Sequence, residues 1–202
     1  MKVAAAVGRW LASRGGGVEA ARDFLRKPIP RNVGWVHTLG SLLLVYIVFQ
    51  SLTGVLLGVY YSASTGSAFQ SVRYVREELF LGDLIYKLHK AGAGFVLVTA
   101  FVHLARSYFT AAYKAPRELL WLTGLLLIVL LTLLAFTGQL LPFDQHGYWA
   151  TVVGLEIASS APLVGGYVRD LLTGGYDGIG EVTLGRFYLL HVSVLPLALF
   201  GL

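Results

Sequence analysis

His89 and His103 stand fourteen residues apart on one apolar stretch, and two neighbouring stretches carry glycine pairs at the same spacing, Gly40/Gly54 and Gly124/Gly138. Fourteen residues make just under four α-helical turns, so each pair falls on one helix face, about 21 Å apart along the axis. That distance fits inside a hydrocarbon core about 30 Å thick. Imidazole is the commonest metal ligand among side chains. Two imidazoles at two depths, flanked by helix surfaces without Cβ atoms, are what a stack of two flat cofactors requires. A fourth stretch holds His191, whose fourteenth-residue partner falls at position 205, past Leu202.

These residues need helices that cross a membrane to position them. The 202-residue chain is 56% hydrophobic and only 13% charged, against about 25% charge in a soluble domain, and its mean hydropathy is +0.68. Four segments are apolar enough to span: about 35–61, 88–112, 119–141, and one starting near 184. The fold expected is all-α, a transmembrane four-helix bundle over 34–202, with short surface helices at 148–159 and 164–173 between spans three and four. A basic arm, 1–33, precedes it. Within the arm, 19–27 reads as an interfacial amphipathic helix ended by Pro28 and Pro30. No cleavable signal peptide is evident.

Charge sets the orientation. Ten of the sixteen basic residues lie in the arm or in the loop after span two, at Arg106, Lys114 and Arg117, whereas the 142–183 segment is mostly acidic. The positive-inside rule puts the N-terminus in the cytoplasm and 142–183 outside. The net charge of +5 fits this rule and anionic lipid headgroups rather than nucleic acid. With no cysteine in the chain, disulfides, iron–sulfur ligation and thioether-linked haem are excluded.

Ionisable residues inside a membrane are costly and mark function. Spans two and four run in the same direction, so His89 and His191 share one depth, the outer, while His103 lies deeper. Two neutral imidazoles on one iron fill both axial positions, leaving an electron carrier rather than an oxygen binder. Packed or proton-relaying histidines are the alternative, weakened by the shared spacing and depth. His37 and His146 read as interfacial. Gly54 and Gly138 fall at the depth of His89 and His191, and Gly40 and Gly124 at that of His103. Close helix packing is the other use of such glycines.

Specific runs of residues carry a resemblance: Lys27-Pro-Ile-Pro30, Leu88-His-Lys-Ala-Gly-Ala93, His103-Leu-Ala-Arg106 and Tyr113-Lys-Ala-Pro-Arg-Glu118. Others are Thr137-Gly-Gln-Leu-Leu-Pro-Phe-Asp-Gln145, Tyr148-Trp-Ala-Thr151 and Thr183-Leu-Gly-Arg-Phe-Tyr-Leu-Leu-His191. In order and spacing, from about Lys27 onward, the chain resembles the N-terminal half of cytochrome b, the haem-bearing subunit of quinol-oxidising cytochrome bc complexes.

The resemblance implies transmembrane electron transfer through two non-covalent b-type haems, with quinol and quinone as substrates. His89 and His191 would bind the outer haem and His103 the inner one, whose second ligand lies beyond Leu202, at 205 or 206. Gly40, Gly54, Gly124 and Gly138 would pack against the haems, and Arg106 and Arg186 would lie near propionates. Phe143, Tyr148, Trp149 and Ala150 would wall the quinol pocket. Implied partners are the C-terminal half of cytochrome b or an equivalent separate subunit, a Rieske iron–sulfur protein, and a c-type cytochrome or other acceptor. Membrane lipid and a second copy in a homodimer complete the set. The implied location is a prokaryotic plasma membrane, and the implied activity is that of an oxidoreductase subunit, inactive alone.

Some positions depart from the family pattern. Tyr86 stands where an arginine is usual, and Pro142-Phe143 replaces Pro-Trp. The Asp144-Gln145 pair and the Tyr148-Trp-Ala run lean to the photosynthetic and Gram-positive branch, without that branch's haem-bearing cysteine. A fragment of a longer protein is favoured over one half of a split protein. Two other functions remain open on the residues alone: a stand-alone di-haem cytochrome subunit of a dehydrogenase or reductase, and a haem-free scaffold or proton-relay subunit.

Overall fold

Apolar runs of this length have no water to pair their backbone N–H and C=O groups in lipid, so they close those bonds internally as helices. The structure is a computed structural model that describes residues 34–202 together with Arg26. The 19–27 helix expected in the basic arm otherwise lies outside the described residues. A single 3₁₀ turn, Trp35–Thr38, leads into α1, Leu39–Gly58. Then follow α2, Ala68–Glu78; α3, Gly82–Phe109; and α4, Glu118–Leu140. Next come α5, Gln145–Ser159; α6, Gly165–Thr173; and α7, Glu181–Leu189. The last helix continues through a π turn, Leu190–Val194, into α8, Leu195–Gly201.

Four stretches are long and apolar enough to cross a membrane: Trp35–Gly58, Gly82–Phe109, Glu118–Leu140 and Glu181–Gly201. The expected all-α, four-span architecture is what the structure has, with no strand among the described residues. The surface helices expected at 148–159 and 164–173 are α5 and α6, the former starting three residues earlier because the Asp144 side chain caps it by accepting from the Gly147 N–H at 2.7 Å.

Three features differ from the sequence reading. Span two begins at Gly82 rather than 88. The charges near that start are paired: Asp83 meets Arg76 at 3.0 Å and Lys87 at 2.5 Å. His89 therefore sits two turns inside the helix instead of at its start. Helix α2 is the second; its Ala68–Glu78 stretch is amphipathic but too short and polar to register as a span. The π turn is the third. Pro196 has no N–H, so the carbonyl of Val192 loses its helical partner, and the N–H of Leu195 instead reaches back five residues to Leu190.

Helix α3 packs between α1 and α4, and α4 in turn against α7 and α8. Two small cores result. The outer one joins Ala68, Leu140, Leu184 and Phe187, while the inner one joins Val96, Ala100, Leu131 and Leu199. Between and beside them most apolar side chains stay exposed, Leu44, Phe95, Val98 and Leu197 among them, which suits lipid outside. The outer cap is pinned by polar contacts. Tyr61 Oη donates to the Leu141 carbonyl at 2.7 Å, and Tyr61 stacks on Tyr188 at 5.2 Å. Burial first, then Tyr188 and Glu181, push the Tyr61 hydroxyl above the usual phenol range, so it stays a donor. Glu181 accepts from the Thr65 N–H at 2.8 Å and from the Thr65 hydroxyl at 2.7 Å, tying the α1–α2 connection to the start of α7.

Gly82 makes the α2–α3 corner possible, because a Cβ there would overlap the Val75 carbonyl. Gly82→Ala is expected to destabilise the fold by about 1–3 kcal/mol. Gly185→Ala, whose Cβ meets nothing within 4 Å, is expected to hold or raise stability, by up to about 1 kcal/mol. Thermal unfolding of the detergent-solubilised protein, followed by circular dichroism, checks both signs.

Candidate functional site

His89 on α3 and His191 in the π turn face each other across the bundle, with ring centroids 6.3 Å apart and planes at 81°. Each ring is held by its Nδ1. The Thr53 hydroxyl donates to the Phe49 carbonyl at 2.9 Å, so its oxygen accepts from His89 Nδ1–H, also at 2.9 Å. His191 Nδ1 lies 3.0 Å from the Leu134 carbonyl, which can only accept, and 3.2 Å from the Thr137 hydroxyl. Both rings thus place the proton on Nδ1 and the lone pair on Nε2, the orientation that a hydrogen-bonded metal ligand takes. Gln50 Nε2 donates to the His89 carbonyl at 2.9 Å, fixing that turn of α3 as well.

The separation suits one metal ion between the rings: two metal–nitrogen bonds of about 2 Å and the two ring radii fill it. Among the described residues no group of three or more His, Cys, Asp or Glu side chains could hold a metal. Two axial nitrogens with no equatorial protein ligand are the donor set a macrocycle completes with four nitrogens of its own. The residues fit a haem.

Three of the four glycines meet the histidines directly. A Cβ at Gly54 would lie 3.0 Å from His89 Cε1, one at Gly138 would lie 2.7 Å from His191 Cε1, and one at Gly40 would lie 3.4 Å from His103 Cε1. The depth pairing expected from the sequence is the pairing observed, and what each missing Cβ admits is the imidazole ring itself. At Gly124 a Cβ meets nothing within 4 Å. Among the described residues His103 Nδ1 is buried with no hydrogen-bond partner, which sets this ring apart from the other two.

Two threonines were not singled out from the sequence. Thr53 and Thr137 are 5% and 4% exposed, and each directly precedes a ring-facing glycine. Each belongs to a Thr-Gly dipeptide, 53–54 and 137–138, but the same dipeptide recurs at 65–66, 123–124 and 173–174, so it did not single these two out.

The other expected site residues are placed as follows. Arg186 donates to the carbonyls of Asp170, at 3.2 Å, and Leu171, closing the end of α6. Arg106 lies three residues past His103, in the last turn of α3. His37 is exposed and sits 3.2 Å from the Gly34 carbonyl. An open cleft of about 530 Å³ at the end of the bundle that carries α2 and α5 is lined by Phe69, Phe143, Asp144, Gln145 and His146. Of the pocket residues expected, Phe143 lines it. Tyr148 stands behind Phe143, edge to face at 6.2 Å, and Trp149 packs on Tyr148 and donates to Gln145 Oε1 at 3.1 Å. His146 belongs to this lining.

The family model described as Cytochrome b/b6/petB matches residues 24–202. The chain is 40% identical over 194 residues to cytochrome b6 of Heliobacterium mobile, across 95% of this chain and 91% of that one. It is also 40% identical over 188 residues to the menaquinol:cytochrome c reductase cytochrome b subunit of Bacillus subtilis, across 90% and 84% of the two chains. Among solved structures, a chain of a hyperthermophilic respiratory Complex III superposes with a TM-score of 0.80 at 32% identity, over 96% of this chain and 52% of that one. The chain thus spans about half the length of that solved relative and most of the length of the b6-type ones. By sequence and by fold, it belongs to the cytochrome b/b6 family.

Proposed function

We propose that this integral membrane protein carries electrons across the bilayer as the haem-bearing subunit of a quinol-oxidising cytochrome bc complex, binding two b-type haems. The observation that carries the reading is the facing pair His89 and His191, with both Nδ1 atoms committed and both Nε2 lone pairs free for iron. A haem bound there supplies a one-electron iron couple inside the membrane. The chain's own residues orient the ligands, keep water out and fix the protonation state of each ring.

The inner centre is supported by His103, its orphan Nδ1, and Gly40 against its ring. Gly124 is the α4 counterpart of Gly138 one level deeper, and its open face suits a fourth imidazole. The extra residue of the π turn shifts the register of the last helix, so that ligand is expected fifteen residues after His191, at 206, rather than at 205. The remainder of cytochrome b, from the same polypeptide or a separate subunit, would supply it. Arg106 and Arg186 are the nearby cations available for propionates. Other proposed partners are a Rieske iron–sulfur protein, a c-type cytochrome or other acceptor, and a second copy of the chain.

Orientation follows from charge. Of the four basic residues around α2 and the start of α3, Arg73 pairs with Glu77, and Arg76 and Lys87 share Asp83. Ten of the sixteen basic residues lie in the 1–33 arm or between Arg106 and Arg117. The positive-inside rule supports a cytoplasmic N-terminus with the 142–183 segment outside, and the membrane we propose is a prokaryotic plasma membrane.

The purified protein should show the α-band of reduced b-type haem, and a preparation expressed with haem available but lacking that band would contradict the proposal. Thr53→Val leaves His89 Nδ1–H without its acceptor and is expected to weaken haem binding by about 10- to 100-fold. Thr137→Val should cost less, because Leu134 still accepts from His191. Gly138→Ala, which drives a Cβ to 2.7 Å from the His191 ring, should lose the outer haem while the inner one persists. Haem titration of the three variants, read at the α-band, checks this order.

A further inference from the structure

One side chain beside the facing histidines has half of its amide engaged and half free. Gln50, on α1, donates from Nε2 to the backbone carbonyl of His89 at 2.9 Å. A carbonyl can only accept, so this contact fixes which way round the amide lies. It leaves Gln50 Oε1 buried, with no donor among the described residues. A leucine would fill much the same space without that unmet acceptor, so packing alone does not account for a glutamine here. The amide fits because α3 has a glycine opposite it: a Cβ at Gly92 would stand 2.8 Å from Gln50 Nε2.

That bond closes a ring of contacts around one histidine. Thr53, three residues along α1, donates its hydroxyl to the carbonyls of Phe49 and Gln50, at 2.9 and 3.1 Å. Its oxygen in turn accepts from His89 Nδ1–H at 2.9 Å. One turn of α1 therefore grips His89 twice, by its backbone through Gln50 and by its ring through Thr53. Neither of the other two histidines is held this way. The His191 ring is bonded across a helix boundary, and the His103 carbonyl accepts from the Ser107 hydroxyl of its own helix. Among the described residues no side chain of another helix reaches the backbone carbonyl of either.

We infer that Gln50 is a positioning residue for the His89/His191 haem site, locking α3 to α1 in the register at which His89 Nδ1–H meets Thr53. The inference rests on the haem binding proposed above, and Gln50 acts only through His89. A firm Nδ1–H bond makes an imidazole more basic and so a stronger ligand. An electron-rich ligand favours the more highly charged, ferric state of an iron at Nε2. Without the Gln50 amide, the turn that carries His89 is free to shift against α1, and the Nδ1–H bond loosens. The outer centre then binds haem less tightly and becomes easier to reduce. His103 has no such clamp, so the inner centre does not respond.

The test is redox titration of the assembled, haem-loaded complex, with each haem followed at its own α-band. Gln50→Leu is expected to weaken binding of the outer haem about tenfold. The ferric-to-ferrous balance of that haem should move about tenfold toward the reduced state, a rise of about 59 mV for one electron. The inner haem should keep its midpoint. Gly92→Ala retains Gln50 but displaces its amide, so it should move the outer midpoint the same way, and it carries the test if Gln50→Leu does not assemble. The double variant should shift no further than Gln50→Leu alone, because both changes remove one bond. An outer midpoint that stays put whatever the loss of thermal stability, equal shifts at both haems, or shifts that add would overturn the inference. A wild-type complex that takes up no haem would instead overturn the parent proposal.

Discussion

Two imidazoles inside this bundle, His89 and His191, each hold an acceptor on a neighbouring helix through Nδ1, and those bonds fix how the helices meet. His89 gives its proton to Thr53 on α1, and His191 gives its own to Leu134, beside Thr137, on α4. Each ring therefore reaches across a helix boundary and lies over a glycine, Gly54 or Gly138, that makes room for it. Removing either acceptor leaves a buried donor unpaired, at a cost of roughly 1–3 kcal/mol. Adding a Cβ at either glycine pushes the ring away. The helix contacts and the ligand geometry are one set of interactions.

The outer cap depends on that arrangement and completes it. Helices α2, α5 and α6 roof the outer end of the bundle, closed by the Tyr61–Leu141 and Thr65–Glu181 bonds. The π turn at His191 belongs to the same design. Pro196 forces the last helix to widen at the one place where a side chain leaves it for the cofactor site. Such turns recur at functional sites because they re-aim a side chain without ending the helix.

Much of this was legible in the residues. The shared direction of spans two and four put His89 and His191 at one depth, and the structure brings their rings to 6.3 Å. Spacing also paired Gly40, Gly54 and Gly138 with the right histidines. What it missed has local causes. The start of α3 was hidden because Asp83 and Lys87 read as solvated until α2 supplies Arg76 beside them. The roles of Thr53 and Thr137 were hidden because a threonine in a membrane helix usually bonds its own backbone, as both do here as well. The glycines were read as surfaces for a flat ring; that three of them also face an imidazole is what the fold adds.

The central claim is that His89 and His191, whose ring planes stand at 81°, would together hold one haem iron. Electron paramagnetic resonance of the oxidised protein tests this most directly, because the angle between two axial imidazoles sets the anisotropy of the ferric signal. A highly anisotropic low-spin signal, absent in His191→Ala, is the result the account predicts. A high-spin signal from the intact protein, or a low-spin signal of the ordinary rhombic kind given by parallel rings, would contradict it.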